Sequence, residues 1–204
     1  MKIILTYVRE FIKILLKRTI PAPDKKVSEE AIKKPFVIDN VISELQWHES
    51  RKWSKRSLAS INKIIVHQEL GDATVEQVNN YHIQPNHISP NGCPHFCYHY
   101  GISKEGDVYH CNQLSHTVWQ AKGQNTSSIG IMLVGDFDGE GHKGTSSGPS
   151  QAQLSSLKKL IEHLLNMDKL SITKADIYGH ADFGKPACPG YVAYDYINKI
   201  KNEG

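Results

Sequence analysis

Short apolar runs separated by polar stretches dominate the chain from residue 61 onwards. Ile64-Ile65-Val66 is continuous rather than alternating, as in a strand covered on both faces, and predicts a strand over 63–67. A similar apolar run predicts a strand over 129–134. Residues 96–102 and 107–111 read as a hairpin turned by Lys104-Glu105-Gly106. Elsewhere the period lengthens. Leu154, Leu157, Ile161, Leu164 and Leu165 share one helical face behind a Ser150 cap, and Thr74 caps a helix over about 75–82. Asp176-Ile177-Tyr178 reads as a short strand that delivers His180 to a sheet edge. Strands and helices intermix, which predicts an α/β domain: a single central mixed β-sheet flanked by helices. Gly139 to Ser150, rich in glycine, is expected to be a surface loop.

The first 60 residues follow a different pattern. Ile4, Val8, Phe11 and Leu15 recur at helical spacing with cations on the opposite side, which predicts an amphipathic helix. Arg9, Glu10 and Lys13 break the apolar core that a signal peptide needs. No run reaches the roughly 18–20 apolar residues of a membrane span. Ile20 to Lys26 forms a stiff polar linker, and 28–34 a short helix interrupted by Pro35. The expected division is therefore an amphipathic helix and linker (1–26), a basic Trp-bearing lead-in (27–60) and a folded domain (61–204), with the amino-terminal part as a helical extension.

Composition refines this picture. With 204 residues, 39% hydrophobic and 22% charged, the chain suits one well-buried domain plus an extension. Residues 1–60 hold 13 Lys/Arg against 7 Asp/Glu, and the remainder 11 against 14. The excess of cations thus belongs to the arm. The arm packs on its own domain or makes weak contact with a membrane surface through residues 1–18. No nucleic-acid partner is expected.

The candidate chemistry sits near the end. His180 and Cys188 lie eight residues apart across a Gly/Pro-bearing loop, so the chain can return them to one point. Imidazole and thiolate are good zinc ligands, and His67, closing the first strand, is a third. Three protein ligands leave zinc an open fourth position, the layout of a catalytic site. With Cys188 so used, Cys93, Cys97 and Cys111 cannot all pair, which points to thiols and a reducing compartment during folding. A Cys93–Cys97 bridge stays open for an oxidising milieu. Cys93, His95, Cys97 and His99 form a rival set, but alternate residues of a strand spread along it and do not converge on one tetrahedral ion.

Four blocks now stand in order: Ile64-Ile65-Val66-His67, Tyr98-His99-Tyr100, Asn125 to Ile131, and Gly179-His180 through Cys188-Pro189-Gly190. Through them residues from about 61 to 197 resemble the zinc-dependent N-acetylmuramoyl-L-alanine amidases of phages and bacteria, whose fold is also that of animal peptidoglycan recognition proteins. The resemblance implies one Zn²⁺ ion on His67, His180 and Cys188, and hydrolysis of the amide between N-acetylmuramic acid and L-alanine in peptidoglycan. It implies that the Tyr98 hydroxyl stabilises developing negative charge. Relatives often carry Lys or Thr two residues before the cysteine. Here that residue is Pro186, and the adjacent Lys185 is the candidate for the role. Glu69 is a further candidate base. Gln120 stands where relatives commonly have His, and with His116 and Asn125 it is expected to line the substrate groove; Asn125 and Ser128 are also expected to hold the adjoining loop by local hydrogen bonds. The partner implied is peptidoglycan or a soluble muropeptide, met as a monomer. An endolysin-like protein of this kind is expected to stay cytoplasmic until released to the cell wall, with export by an atypical amino-terminal segment left open. The alternative is a recognition module that binds muropeptide without hydrolysing it.

Overall fold

The structure is a computed structural model that describes residues 35–137 and 148–202. Six strands form one mixed sheet: β1 (Ile38–Asn40), β2 (Lys63–Gln68), β3 (Tyr100–Ile102), β4 (Val108–His110), β5 (Ser128–Leu133) and β6 (Ile177–Gly179). Their order is β1-β4-β3-β5-β2-β6, with β3 and β4 antiparallel and every other pair parallel. Among the described residues three α-helices accompany it: α1 (Val75–Ile83), α2 (Gln151–Leu165) and α3 (Tyr191–Asn202).

Side-chain alternation sorts the sheet into two faces. Ile64 and Val66 of β2, with Ile129, Ile131 and Leu133 of β5, face α2 and α3 and meet Leu157, Leu160, Ile161, Leu164, Ala193 and Ile197 in the main core. On the other side Met132 and Val134 meet Val75 and Val78 of α1, together with Phe96 and Leu45. β2 and β5 are buried along nearly their whole length, so their sequences run apolar without alternating. Both α1 and α2 open on complete capping boxes, Thr74 with Gln77 and Ser150 with Gln153.

Details of the elements differ from the sequence-based expectation. The strand expected over 96–102 begins only at Tyr100. The carbonyls of Phe96 and Tyr98 are taken by the Asn112 side-chain amide, and of this stretch His99 bonds through its backbone to Gly130 and Cys111. β1, unforeseen, pairs parallel with β4, and α3 was likewise unforeseen, although Ala193, Ile197 and Ile200 mark its buried face. The lead-in is woven into the domain. Trp53 is buried, and the Arg56 guanidinium donates to the carbonyls of Leu114, Asn125 and Ser128. The amphipathic helix, the linker, the helix expected over 28–34 and most of the 139–150 loop lie outside the described residues.

Candidate metal centre

The sheet brings the distant ligand candidates together. β2 and β6 are parallel neighbours with Val66 opposite Gly179. The next residue of each, His67 and His180, therefore stand side by side with ring centroids 4.5 Å apart. They lie towards the carboxyl ends of parallel strands, where open α/β sheets bind their ligands. No side chain fits at Gly179, where a Cβ would come within 2.6 Å of the Tyr194 ring. Directly after it the chain leaves the sheet in a single 3₁₀ turn, His180–Phe183. Asp182 accepts from the Gly179 N–H and from the Tyr194 hydroxyl, fixing that turn to α3.

Cys188 returns on a loop closed by its own backbone. Ala181 N–H donates to the Cys188 carbonyl at 2.7 Å, and Cys188 N–H to the Lys185 carbonyl at 2.9 Å. Gln68 holds the loop from the sheet side. Its amide donates to the Ala187 carbonyl (2.8 Å), its amide oxygen accepts from Phe137 N–H, and its backbone N–H points at the Cys188 sulfur (3.4 Å). Nothing in the sequence singles out Gln68 except its place next to His67, as a polar residue ending an apolar strand.

The resulting cluster is the one group of three or more metal-ligating side chains that converges among the described residues. Ligand atoms of His67, His180 and Cys188 all lie within 4.8 Å of one another. His67 Nδ1 is 3.9 Å from the Cys188 sulfur. Nitrogen and sulfur on one tetrahedral zinc would be about 3.5 Å apart, so these residues fit the ion. Burial, with the neighbouring His180, pushes the His67 pKa down to about 3, and burial with Lys185 lowers that of His180. Both rings are therefore neutral near pH 7, as ligation needs. Burial raises the Cys188 thiol to about 11, against the opposing pull of the Gln68 N–H and Lys185. A divalent cation in the cluster would displace that proton.

Of the three catalytic candidates, Tyr98 and Lys185 lie beside this cluster. Tyr98 packs its ring 4.9 Å from that of His67, and burial, with Cys188 next, raises its phenol above the usual range. It lies just before β3 rather than on the strand. Glu69 is half-buried, and burial raises its carboxyl, partly offset by the backbone of Ala73, Gly135 and Gly71. Its charge also acts on Tyr98. Lys185 is exposed on the loop, near enough for its charge to act on both His180 and Cys188.

The three residues expected in the substrate groove differ in burial: His116 and Asn125 are half-buried and Gln120 is buried. Gln120 is buried, with its amide oxygen on His67 Nε2 and its amide nitrogen on Ser128 Oγ, so it has turned inward behind the ligand. Asn125 accepts from the backbone N–H groups of Gln120 and Ala121 and closes a local turn, in keeping with the loop-holding role. His116 packs edge-on against Trp47 at 5.9 Å. The rival Cys/His set does not converge. Cys93 and Cys97 face each other as thiols, the His95 Nδ1 meets Asn112, and the His99 Nδ1 accepts from Gly130 N–H.

The chain is 25% identical over 169 residues to peptidoglycan-recognition protein SC2 of Drosophila simulans, covering 79% of this chain and 86% of the relative. It is 27% identical over 144 residues to the endolysin of Klebsiella phage KP32, covering 69% and 86%. In fold it is similar to the N-acetylmuramoyl-L-alanine amidase LysC from Clostridium intestinale, with a TM-score of 0.60, 24% identity and coverage of 82% and 96%. Residues 57–191, a span that holds the three converging side chains and Tyr98, match the model for N-acetylmuramoyl-L-alanine amidases, and the chain belongs to that family.

Proposed function

We propose that this protein is a zinc-dependent N-acetylmuramoyl-L-alanine amidase that cleaves the bond between N-acetylmuramic acid and L-alanine in peptidoglycan. The observation that carries the reading is the convergence of two neutral imidazoles and a thiol, with a half-buried phenol beside them. When bound, zinc supplies a Lewis acid and lowers the pKa of water towards neutrality. The protein supplies the rest. Tyr98, kept protonated by burial, donates a hydrogen bond to the oxygen that gains negative charge as the amide carbonyl is attacked. Lys185 adds positive charge at the mouth of the site. Glu69, whose carboxyl burial raises above its ordinary value, is the candidate base that takes a proton from the attacking water and returns it to the departing alanine amine.

A second reading, muropeptide recognition without hydrolysis, is favoured by one observation. Pro186 has no donor at the position where relatives often carry Lys or Thr. Digestion of purified peptidoglycan with zinc-loaded and chelated protein separates the two. Release of new L-alanine amino termini that needs zinc and disappears in Cys188→Ala supports the amidase. Zinc binding with no amine released from wall or soluble muropeptide would transfer the assignment to recognition.

A further inference from the structure

A directed relay of hydrogen bonds ends on His67. It starts at the Gln124 carbonyl, which can only accept. Ser128 Oγ lies 2.7 Å from it and spends its one proton there. The Ser128 oxygen is then free only to accept, and it does so from the Gln120 amide nitrogen. This orients the amide. Its oxygen must face the other way, towards His67 Nε2 at 2.5 Å, so Nε2 carries the proton. Nδ1 is left with its lone pair, and Nδ1 is the atom that looks towards Cys188.

The relay is built into the fold. Asn125 clamps the backbone N–H groups of Gln120 and Ala121. The Gln120 side chain lies across Gly130 of β5, where a Cβ would come within 2.8 Å of its Cγ. Both Gln120 and Ser128 are buried, at 6% and 0% exposure, so water cannot substitute for either partner.

We propose that Gln120 is a positioning residue of the metal centre, fixing His67 in the Nε2–H tautomer with Nδ1 aimed at the ion. This rests on the zinc reading above and gives a function to a residue that the family resemblance places in the groove. Outer partners of ligating histidines fix tautomer and ring orientation, and their loss commonly weakens metal binding about 10–100-fold.

The test uses the full chain and three variants. Gln120→Leu keeps the volume but removes the acceptor, Gln120→Glu keeps an acceptor oxygen, and Gly130→Ala crowds the side chain without changing it. Zinc affinity is measured by competition with a chromophoric chelator, thermal midpoints are measured metal-free, and the His67 tautomer is read by ¹⁵N NMR of the metal-free protein. We expect a Nε2–H tautomer in the wild type, and zinc binding weakened about 10–100-fold in Gln120→Leu but within about threefold of wild type in Gln120→Glu. Gly130→Ala should weaken it too, and decides the matter should Gln120→Leu not fold. The proposal is overturned by wild-type affinity in Gln120→Leu, by equal losses in the Leu and Glu variants, or by a Nδ1–H tautomer in the wild type. A raised KM for muropeptide with unchanged zinc affinity would return Gln120 to the groove. Failure of the wild type to bind zinc, with the Nε2–H tautomer present, would sink the zinc reading while the tautomer result stood.

Discussion

The backbone N–H of Gln68 points at the sulfur of Cys188, 3.4 Å away, across 120 residues of chain. The same residue's side chain binds the carbonyl of Ala187 and the N–H of Phe137. One glutamine thus holds the cysteine loop at two points and ties it to the segment after β5 at a third, from a strand whose own position is set by the core.

Replacing Gln68 by Ala should therefore loosen the cysteine loop without touching a ligand. It leaves the Ala187 carbonyl and the Phe137 N–H without partners, at a cost of about 1–3 kcal/mol of stability. Urea unfolding of the metal-free protein measures that cost, and chelator competition should show weaker zinc binding. Unchanged values in both would mean that the loop holds itself.

Tyr98→Phe removes one hydroxyl from a ring that otherwise keeps its packing on His67 and Phe96. If the phenol donates to the oxyanion, kcat on soluble muropeptide should fall about 10²–10³-fold while zinc affinity stays within about threefold. Full activity in the variant would make Tyr98 a packing residue.

Acid should destabilise the fold through histidines outside the centre. Burial, with His95 next, lowers His82 to about 4, and burial is the largest cause that lowers His95 to about 4. Unfolded, both titrate near 6.5, so the unfolded chain binds more protons between those values. Stability is complete above about pH 6.5 and falls as pH drops towards 4, by on the order of 2–3 kcal/mol per histidine. Urea midpoints from pH 7.5 to 4.5, with chelator present, should decline through that window. His82→Asn, whose amide oxygen can still accept from Cys97 N–H, should flatten part of the slope. A midpoint independent of pH would contradict the burial of these rings.

Asn112 is a buried junction whose oxygen serves Trp53 and His95 and whose amide serves the carbonyls of Phe96 and Tyr98. Asn112→Ala strands several of these groups away from water. We expect a loss of about 2–4 kcal/mol in urea unfolding and reduced kcat through a displaced Tyr98. A stable variant with wild-type kcat would show that Tyr98 is held by packing alone.

Several features are legible in the sequence because they rest on local rules. The continuous apolar runs of β2 and β5 announce strands covered on both faces, and the caps at Thr74 and Ser150 announce α1 and α2. The eight-residue spacing of His180 and Cys188, with His67 at the end of a buried strand, points to three ligands whose side chains the structure brings together. Side-chain periodicity and ligand chemistry act over a few residues, so they survive in one dimension. What only the tertiary structure decided is how distant segments meet. β1 is a three-residue strand, too short to carry a period, and it forms where the edge of β4 is available. The expectation that Gln120 lines the groove comes from the family resemblance, in which relatives commonly have His at this position. Gln120 is instead turned inward by Ser128 and by the space above Gly130, eight and ten residues further on. Gln68 and Asn112 are ordinary polar residues until the fold surrounds them with buried carbonyls and N–H groups. A buried polar group must find its partners wherever the chain places them, and that placement exists only in three dimensions.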